Sequence, residues 1–276
     1  MSNIKVLNSN LELKLLAQGN TAEVYMYDEN KVLKLFRENM PVEPIKNEFD
    51  KAKYIQTDII NVPKVYEIIK FKKRYGIVYE RIDGRDMIKD MLMNFLKIKT
   101  KSKDLAHIHV QLHTEKTGLT YTVKSKLCNE IDDVLDLSTT EKNKIKKYID
   151  KLPDGNALCH FDFHPGNIII QNEKPIIIDW MTACVGNPCA DVARTYLLLQ
   201  YGELQHVNWI VKKIAHAFEN YIGKVYIEEY KKCSGISDFE FKQWILPVAA
   251  ARLIEWVSDN ERRELIKLIK KELEKI

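Results

Sequence analysis

Residues 160 to 167 read HFDFHPGN. Two histidines, an aspartate and an asparagine stand together between the apolar runs ALC and III. Two chemistries use such groups. One is metal binding: Cys159, His160, Asp162 and His164 are all ligand types, and alternate residues of an extended segment share a face. Structural zinc sites, however, favour paired Cys or His at CxxC or HxxxH spacing with a second pair elsewhere. No such second pair is evident. His109 and His113 stand four apart without the glutamate of a zinc protease. With His107 they read as packed or surface positions of a helix.

The other chemistry is phosphoryl transfer. Asn167 follows Asp162 by five positions, and Asp179 follows Asn167 by twelve, ending the apolar run PIIID. Phosphoryl transfer needs a carboxylate to orient an acceptor hydroxyl and oxygen ligands to place Mg2+ on the phosphates. One Asp, one Asn and a later Asp, held in a hairpin by flanking strands, supply that set. The reading demands further parts upstream. A lysine belongs on a third strand, and Lys34 stands in KVLKLF. The next helix needs an acid to pair with it, and Glu48 stands in IKNEFDKA. A loop should cover the phosphates between the first two strands, where AQGNTAEVY lies. With one glycine, that loop carries little information alone.

The elements that must position these groups follow from periodicity. Residues 11–37 contain three short runs rich in β-branched and aromatic residues, bounded by Gly, Asn or Asp. In 41–57, Ile45, Phe49, Ala52 and Ile55 keep helical spacing. PKVYEIIKF and YGIVYERI are two more strands. Helical patterns fill 86–150, a strand-like island follows at 157–178, and helices return from about 189. The break at Asp83-Gly84 predicts a β-rich domain at 1–82 and a helical domain at 83–276.

Composition narrows the class. The net charge of +4 and short basic runs such as KIKTKSK lack the dense patch of a nucleic-acid binder. Five cysteines, an odd number without a CxxC pair, suit a reduced compartment. No apolar signal core opens the chain, and no apolar run is long enough to span a bilayer. The expectation is a cytoplasmic protein, monomeric or dimeric, without a membrane or nucleic-acid partner.

With these motifs in place, the chain resembles the aminoglycoside phosphotransferase family, with its choline kinase and fructosamine kinase relatives. The resemblance rests on His160-x-Asp162-x-His164-x-x-Asn167 and on DWMTACVGNPCADVA at 179–193. YERIDG at 79–84 is similar to that family's hinge, and QLH at 111–113 to its central helix. The resemblance implies an α+β, protein-kinase-like two-lobe fold, with a small antiparallel β-sheet lobe carrying one helix and a large, mainly helical C-terminal lobe. It implies ATP and Mg2+ as cofactors and a small-molecule hydroxyl as acceptor. Asp162 would orient or deprotonate that hydroxyl. Asn167 and Asp179 would hold Mg2+, Lys34 the phosphates, and Glu48 would fix Lys34. The backbone at Glu80 and Ile82 would meet the adenine, with Asn20 and Thr21 in the covering loop. His160 and Asp191 would support the catalytic loop; His164, where protein kinases usually have a lysine near the transferred phosphate, would play a lesser version of that role or only pack the loop.

Two departures matter. Phe161 replaces the family's usual glycine and the arginine of protein kinases. Only eleven residues separate Asp179 from Asp191, with no Ala-Pro-Glu. Both argue against a protein kinase. The implied activity is an ATP-dependent small-molecule kinase, the alternative a catalytically weak nucleotide-binding or regulatory protein on the same fold. The acceptor stays open. A cationic one would need an acidic pocket, which NEIDDVLD at 129–136 could line, Asp132 and Asp136 sharing a helical face. Glu255 and Asp259 are further candidates. Trp180, Trp244 and Trp256 read as core or as stacking surfaces.

Overall fold

The computed structural model describes residues 4–8, 11–19, 21–56, 60–203 and 208–276. They form two compact units: residues up to Met87 with Asn167–Thr182, and Ile88–Gly166 with Ala183–Ile276.

The first unit is built on a six-stranded sheet. Its strands are β1 (Lys5–Val6), β2 (Leu15–Gln18), β3 (Ala22–Met26), β4 (Lys31–Phe36), β5 (Val65–Phe71) and β6 (Arg74–Glu80), in the order β1-β5-β6-β4-β3-β2. Neighbours are antiparallel except β1, which lies parallel to β5. The two-residue alternation of strands sorts the side chains onto two faces. Leu33, Leu35, Ile69, Phe71 and Val78 pack together on one. Ala22, Phe36, Ile68 and Ile77 pack on the other, against Ile45 and Phe49 of α1 (Val42–Tyr54). Lys34 shares the parity of Phe36 and pairs with Val24 and Ile77, so it lies on the α1 face.

The same unit holds a three-stranded sheet, β7 (Arg85–Asp86) beside β9 (Ile168–Gln171) beside β10 (Lys174–Ile177). The sequence pattern placed a boundary and then helix at this point. A two-residue strand carries no periodicity, so β7 escapes such reading. Gly84 just before it is required: a Cβ there would lie 2.4 Å from the Ile170 carbonyl oxygen.

The second unit is helical. After α2 (Met87–Met93) come α3 (Ile98–Thr114), α4 (Val123–Asp133), α5 (Thr139–Lys151), α6 (Pro188–Tyr201), α7 (Trp209–Ser234), α8 (Asp238–Lys242), α9 (Ile245–Arg252) and α10 (Asp259–Leu273). A two-stranded ribbon, β8 (Ala157–Cys159) with β11 (Cys184–Gly186), sits among them. Helix α3 lies along α7, joined by His109–Tyr226 and His113–Tyr230 contacts. Helix α4 ends at Asp133 and Val134 is extended. Ser138 and Glu141 then form a capping box that starts α5. Asp136 therefore falls in the connection, and it does not share a helical face with Asp132 as the spacing suggested.

The sheet tolerates no bulk at Gly76. A Cβ there would meet Leu33 Cδ1 at 2.6 Å and the Lys34 carbonyl oxygen at 2.8 Å. Gly76→Val should overpack the strand that carries Lys34 and cost about 1–3 kcal/mol. Chemical denaturation checks this: an unchanged midpoint would contradict the packing described.

Candidate active site

In the first unit the lysine is tied on two sides. Lys34 Nζ donates to Glu48 Oε1 at 2.8 Å and to Asp179 Oδ1 at 3.0 Å. Glu48 is buried because it stands in the apolar stripe of α1, with Ile45, Phe49 and Ala52. Tyr79, on the same sheet face as Ile77, donates its hydroxyl to Glu48 Oε1 at 2.9 Å. Glu48 Oε2 has no hydrogen-bond partner among the described residues. Burial works to lower the Lys34 pKa, but the charges of Asp179 and Glu48 prevail and raise it. Burial lifts the Glu48 carboxyl despite Lys34 beside it. Such a pair is costly to break, since removing one member leaves an uncompensated buried charge.

Asp179 reaches the lysine through backbone geometry. Ile168 pairs with Ile177 at the end of the β9–β10 hairpin, and Ile178 N donates to the Asn167 carbonyl oxygen at 3.0 Å. Asn167 and Asp179 thus stand at one end of one hairpin. Asp179 has φ 64°, a left-handed conformation that Asp tolerates better than most residues. Its carboxylate stays partly open to solvent.

The loop that carries Asp162 is anchored within the second unit. Both oxygens of buried Asp191, on α6, accept loop amides: His160 N at 2.6 Å and Phe161 N at 2.9 Å. The Arg194 guanidinium donates to the Phe161 carbonyl oxygen at 3.2 Å and lies 3.6 Å from Asp162 Oδ1. Thr195 Oγ1 donates to the Phe163 carbonyl oxygen at 2.8 Å. One face of α6 therefore holds four consecutive loop residues. Phe161 sits at φ 62°, where a glycine would be unstrained. His160 Nδ1 accepts from Asp162 N, and His164 Nδ1 from Gly166 N, so both rings brace backbone. His164 Nε2 lies 3.8 Å from Asp162 Oδ2. Burial opposes the charge on Asp191, but the imidazoles of His109 and His113 prevail and hold its carboxyl well below the ordinary range.

The remaining residues singled out by sequence fall as follows. Asn20 lies outside the described residues. Thr21 accepts Arg37 N at its carbonyl, and Arg37 also donates to the Gly19 carbonyl oxygen, which ties down the loop between β2 and β3. Glu80 closes β6. Ile82 lies beyond the strand, with no backbone hydrogen bond among the described residues. Cys159, His160, Asp162 and His164 do not converge as ligands: Cys159 is buried with its Sγ toward the carbonyl oxygens of Ala157 and Asn187, and burial raises its thiol pKa. In the acidic stretch, Glu130 pairs with Lys126 at 2.6 Å, Asp132 with Lys146 at 2.6 Å and Asp136 with Arg262 at 2.5 Å. Three of its carboxylates thus carry cationic partners, each in a partly exposed ion pair. Trp180 and Trp244 are buried, while Trp256 is 93% exposed.

Sequence reading missed Tyr79, Arg194 and Arg252. A detectable signal existed for Arg194, which stands one helical turn after Asp191. The salt bridge of Arg194 to Glu255 at 2.7 Å continues through Arg252 at 2.9 Å to Glu261, which accepts from Arg252 Nε at 2.7 Å. No local pattern announces a contact sixty residues away.

Solved structures share this α+β, kinase-like fold. One is a thermostable mutant of the aminoglycoside phosphotransferase APH(4)-Ia in its apo form, at 14% identity, with 96% of this chain and 94% of that chain covered and a TM-score of 0.65. Another is the amicoumacin kinase hAmiN in complex with AMP-PNP, Ca2+ and Ami, at 15%, 95% and 88% coverage and 0.59. A third is a choline/ethanolamine kinase family protein from Mesorhizobium loti, at 15%, 96% and 82% coverage and 0.55. At these identities the likeness shows the fold alone. No curated protein sequence matches the chain. Residues 12–222 match the model of the phosphotransferase enzyme family, and the chain belongs to that family. No helix among the described residues is long and apolar enough to cross a membrane.

The charge chain from Asp162 to Glu261 ends near Glu219 on α7. Burial, and then the charge of Glu261, push the Glu219 carboxyl up from 4.5 to about 7. A raised carboxyl favours the folded state most below its unfolded value, and that contribution is lost as pH rises toward about 7. Glu219→Gln should therefore raise Tm near pH 8 and leave it unchanged near pH 4. Thermal melts at both pH values measure this; an equal gain at both would contradict a half-buried, titrating carboxyl.

Proposed function

We propose that the protein is an ATP-dependent kinase that phosphorylates a hydroxyl of a small molecule. The observation that carries this reading is Lys34 held between Glu48 and Asp179. A buried lysine with a raised pKa stays charged, and the two carboxylates fix where that charge points. In this reading Lys34 binds the nucleotide's phosphates and Glu48 positions it. The backbone of Glu80 and Ile82 takes the adenine, and Thr21, with Asn20, belongs to the loop over the phosphates. The 1–82 region is read as the nucleotide-binding domain and 83–276 as the domain that holds the acceptor.

Asn167 and Asp179 would hold Mg2+. Their donors are an amide oxygen and a partly exposed carboxylate at one hairpin end, hard oxygen ligands that suit this ion. When bound, the ion neutralises charge on the phosphates. The chain's own work lies in Asp162. Its carboxylate accepts the proton of the acceptor hydroxyl and aims the oxygen for attack. Arg194 stands beside Asp162 and holds it in one orientation, and Asp191 holds the loop backbone behind it. His160 and His164 keep the loop in shape.

Two experiments test this. A coupled assay against aminoglycosides, amino alcohols and sugars should find a phosphorylated acceptor. On it, Asp162→Ala should lower kcat by about 10²–10⁴ while KM for ATP stays nearly constant. Turnover at the wild-type rate would refute the assignment, and no ATP-dependent turnover on any acceptor would favour a regulatory protein. In calorimetry, Asn167→Ala and Asp179→Ala should each weaken Mg2+-dependent ATP binding, Asp179 more. Mg2+ dependence unchanged in both would overturn their place as ligands.

A further inference from the structure

We propose that His109, His113 and Asp191 form a buried site for a divalent ion of the zinc class within the helical unit. The proposal does not depend on the kinase reading. His109 and His113 are four residues apart on α3, so their rings leave the same face of the helix. Their Nε2 atoms lie 3.2 and 3.3 Å from one oxygen, Asp191 Oδ2. The three donor atoms all fall within 4.8 Å of one another. Tetrahedral zinc has bonds of about 2.0–2.1 Å to nitrogen and oxygen, which sets its ligand atoms about 3.3 Å apart. Both observed separations match that edge.

The other ring nitrogens complete the pattern. His109 Nδ1 meets the Tyr226 hydroxyl at 2.7 Å, and His113 Nδ1 meets the Tyr230 hydroxyl at 2.7 Å. Metal-bound histidines are commonly oriented this way, with the non-ligating nitrogen fixed by an outer partner. Burial, and then the neighbouring His113, hold the His109 imidazole down to about 3. It is therefore neutral, as a ligand must be. Phe163 stacks on the His109 ring at 3.9 Å between centroids and shields it. Asp191 and His109 are fully buried and His113 nearly so.

A purely hydrogen-bonded cluster accounts for less. Asp191 Oδ2 already accepts His160 N at 2.6 Å. It also meets His113 Nε2 at hydrogen-bond distance, 3.3 Å. His109 Nε2, although close, lies outside hydrogen-bond alignment and is a buried nitrogen with no hydrogen-bond partner among the described residues. An ion between the three atoms satisfies it. Two neutral imidazoles and one carboxylate leave a divalent ion with one excess positive charge. A hydroxide in the fourth position would neutralise it. The bound ion would lock Asp191, and with it the amides of His160 and Phe161.

The test uses untagged full-length protein. Elemental analysis should find about one zinc per chain after gel filtration, as a single three-ligand site requires. Stripping with a strong chelator should lower Tm, and zinc should restore it. Cobalt added to stripped protein should give the intense visible bands of a tetrahedral site. His109→Phe and the milder His113→Gln should abolish those bands, whereas Asp179→Asn should keep them, which separates this site from the nucleotide's metal. If stripped wild-type protein takes up neither zinc nor cobalt at stoichiometric concentration, the proposal is wrong, whether or not either variant folds. Bands that survive in both histidine variants would overturn it equally.

Discussion

The structure of the sheet unit depends on one constraint: an ammonium group held in a nearly dry place. Lys34 is only 12% exposed and Glu48 is 1% exposed. Neither charge could stay there alone, because an unpaired buried ion costs several kcal/mol. Their pairing forces several other features. Lys34 must lie on the α1 face of β4, which fixes the register of three strands. Glu48 must occupy a slot in the apolar stripe of α1 where a hydrophobe would otherwise fit. Asp179 must leave the β-region to bring its carboxylate within 3.0 Å. A purely structural design would have replaced this triad with packed side chains at little loss. Its retention in the interior is understandable when the charge has work to do beyond stability.

The helical unit solves a similar problem with backbone instead of side chain. The loop from His160 to Phe163 cannot be regular secondary structure, because Phe161 is left-handed. Its amides and carbonyls must still be satisfied where water is excluded. Helix α6 supplies that satisfaction. Asp191 takes two amides, Arg194 covers one carbonyl and Thr195 another. These residues fall at i, i+3 and i+4, so one helical face serves as a template for an irregular loop. The position of Asp162 is a consequence of that template and of the Arg194–Glu255 pair behind it.

Legibility in the sequence followed the range of each interaction. Strands β3 to β6 and helix α1 were readable because period-two and period-3.6 patterns are local. Lys34 and Glu48 could be paired in advance because phosphoryl-transfer chemistry calls for a strand lysine and a helix acid, and each sits on an element legible by its period. Strand β7 was not readable, since its pairing with β9 joins positions far apart in the chain. The partners of the acidic stretch were hidden for a related reason. Its carboxylates looked like a free cluster because Lys146 and Arg262, which pair with Asp132 and Asp136, lie on α5 and α10. The histidines of α3 read as packed or surface helix positions; His109 and His113 are packed, and His107 lies at the surface. Their convergence on Asp191 needed α6 to be placed.

Phe161 shows how a departure from a motif can be physically consistent. A left-handed conformation costs a non-glycine residue about 1–2 kcal/mol, so glycine would be the unstrained choice. The ring, however, is only 3% exposed, and fully burying a phenylalanine contributes about 1.5–3 kcal/mol. Lys126 Nζ lies 5.5 Å from its centroid, itself nearly buried and paired with Glu130. That contact adds a cation–π attraction, worth more where water is excluded. The backbone strain is thus offset by packing on α4, and the loop gains a hydrophobic anchor beside Asp162. Glycine at this point would free the backbone and remove the anchor together. The rigidity of the loop is thus built into the side chain next to the carboxylate.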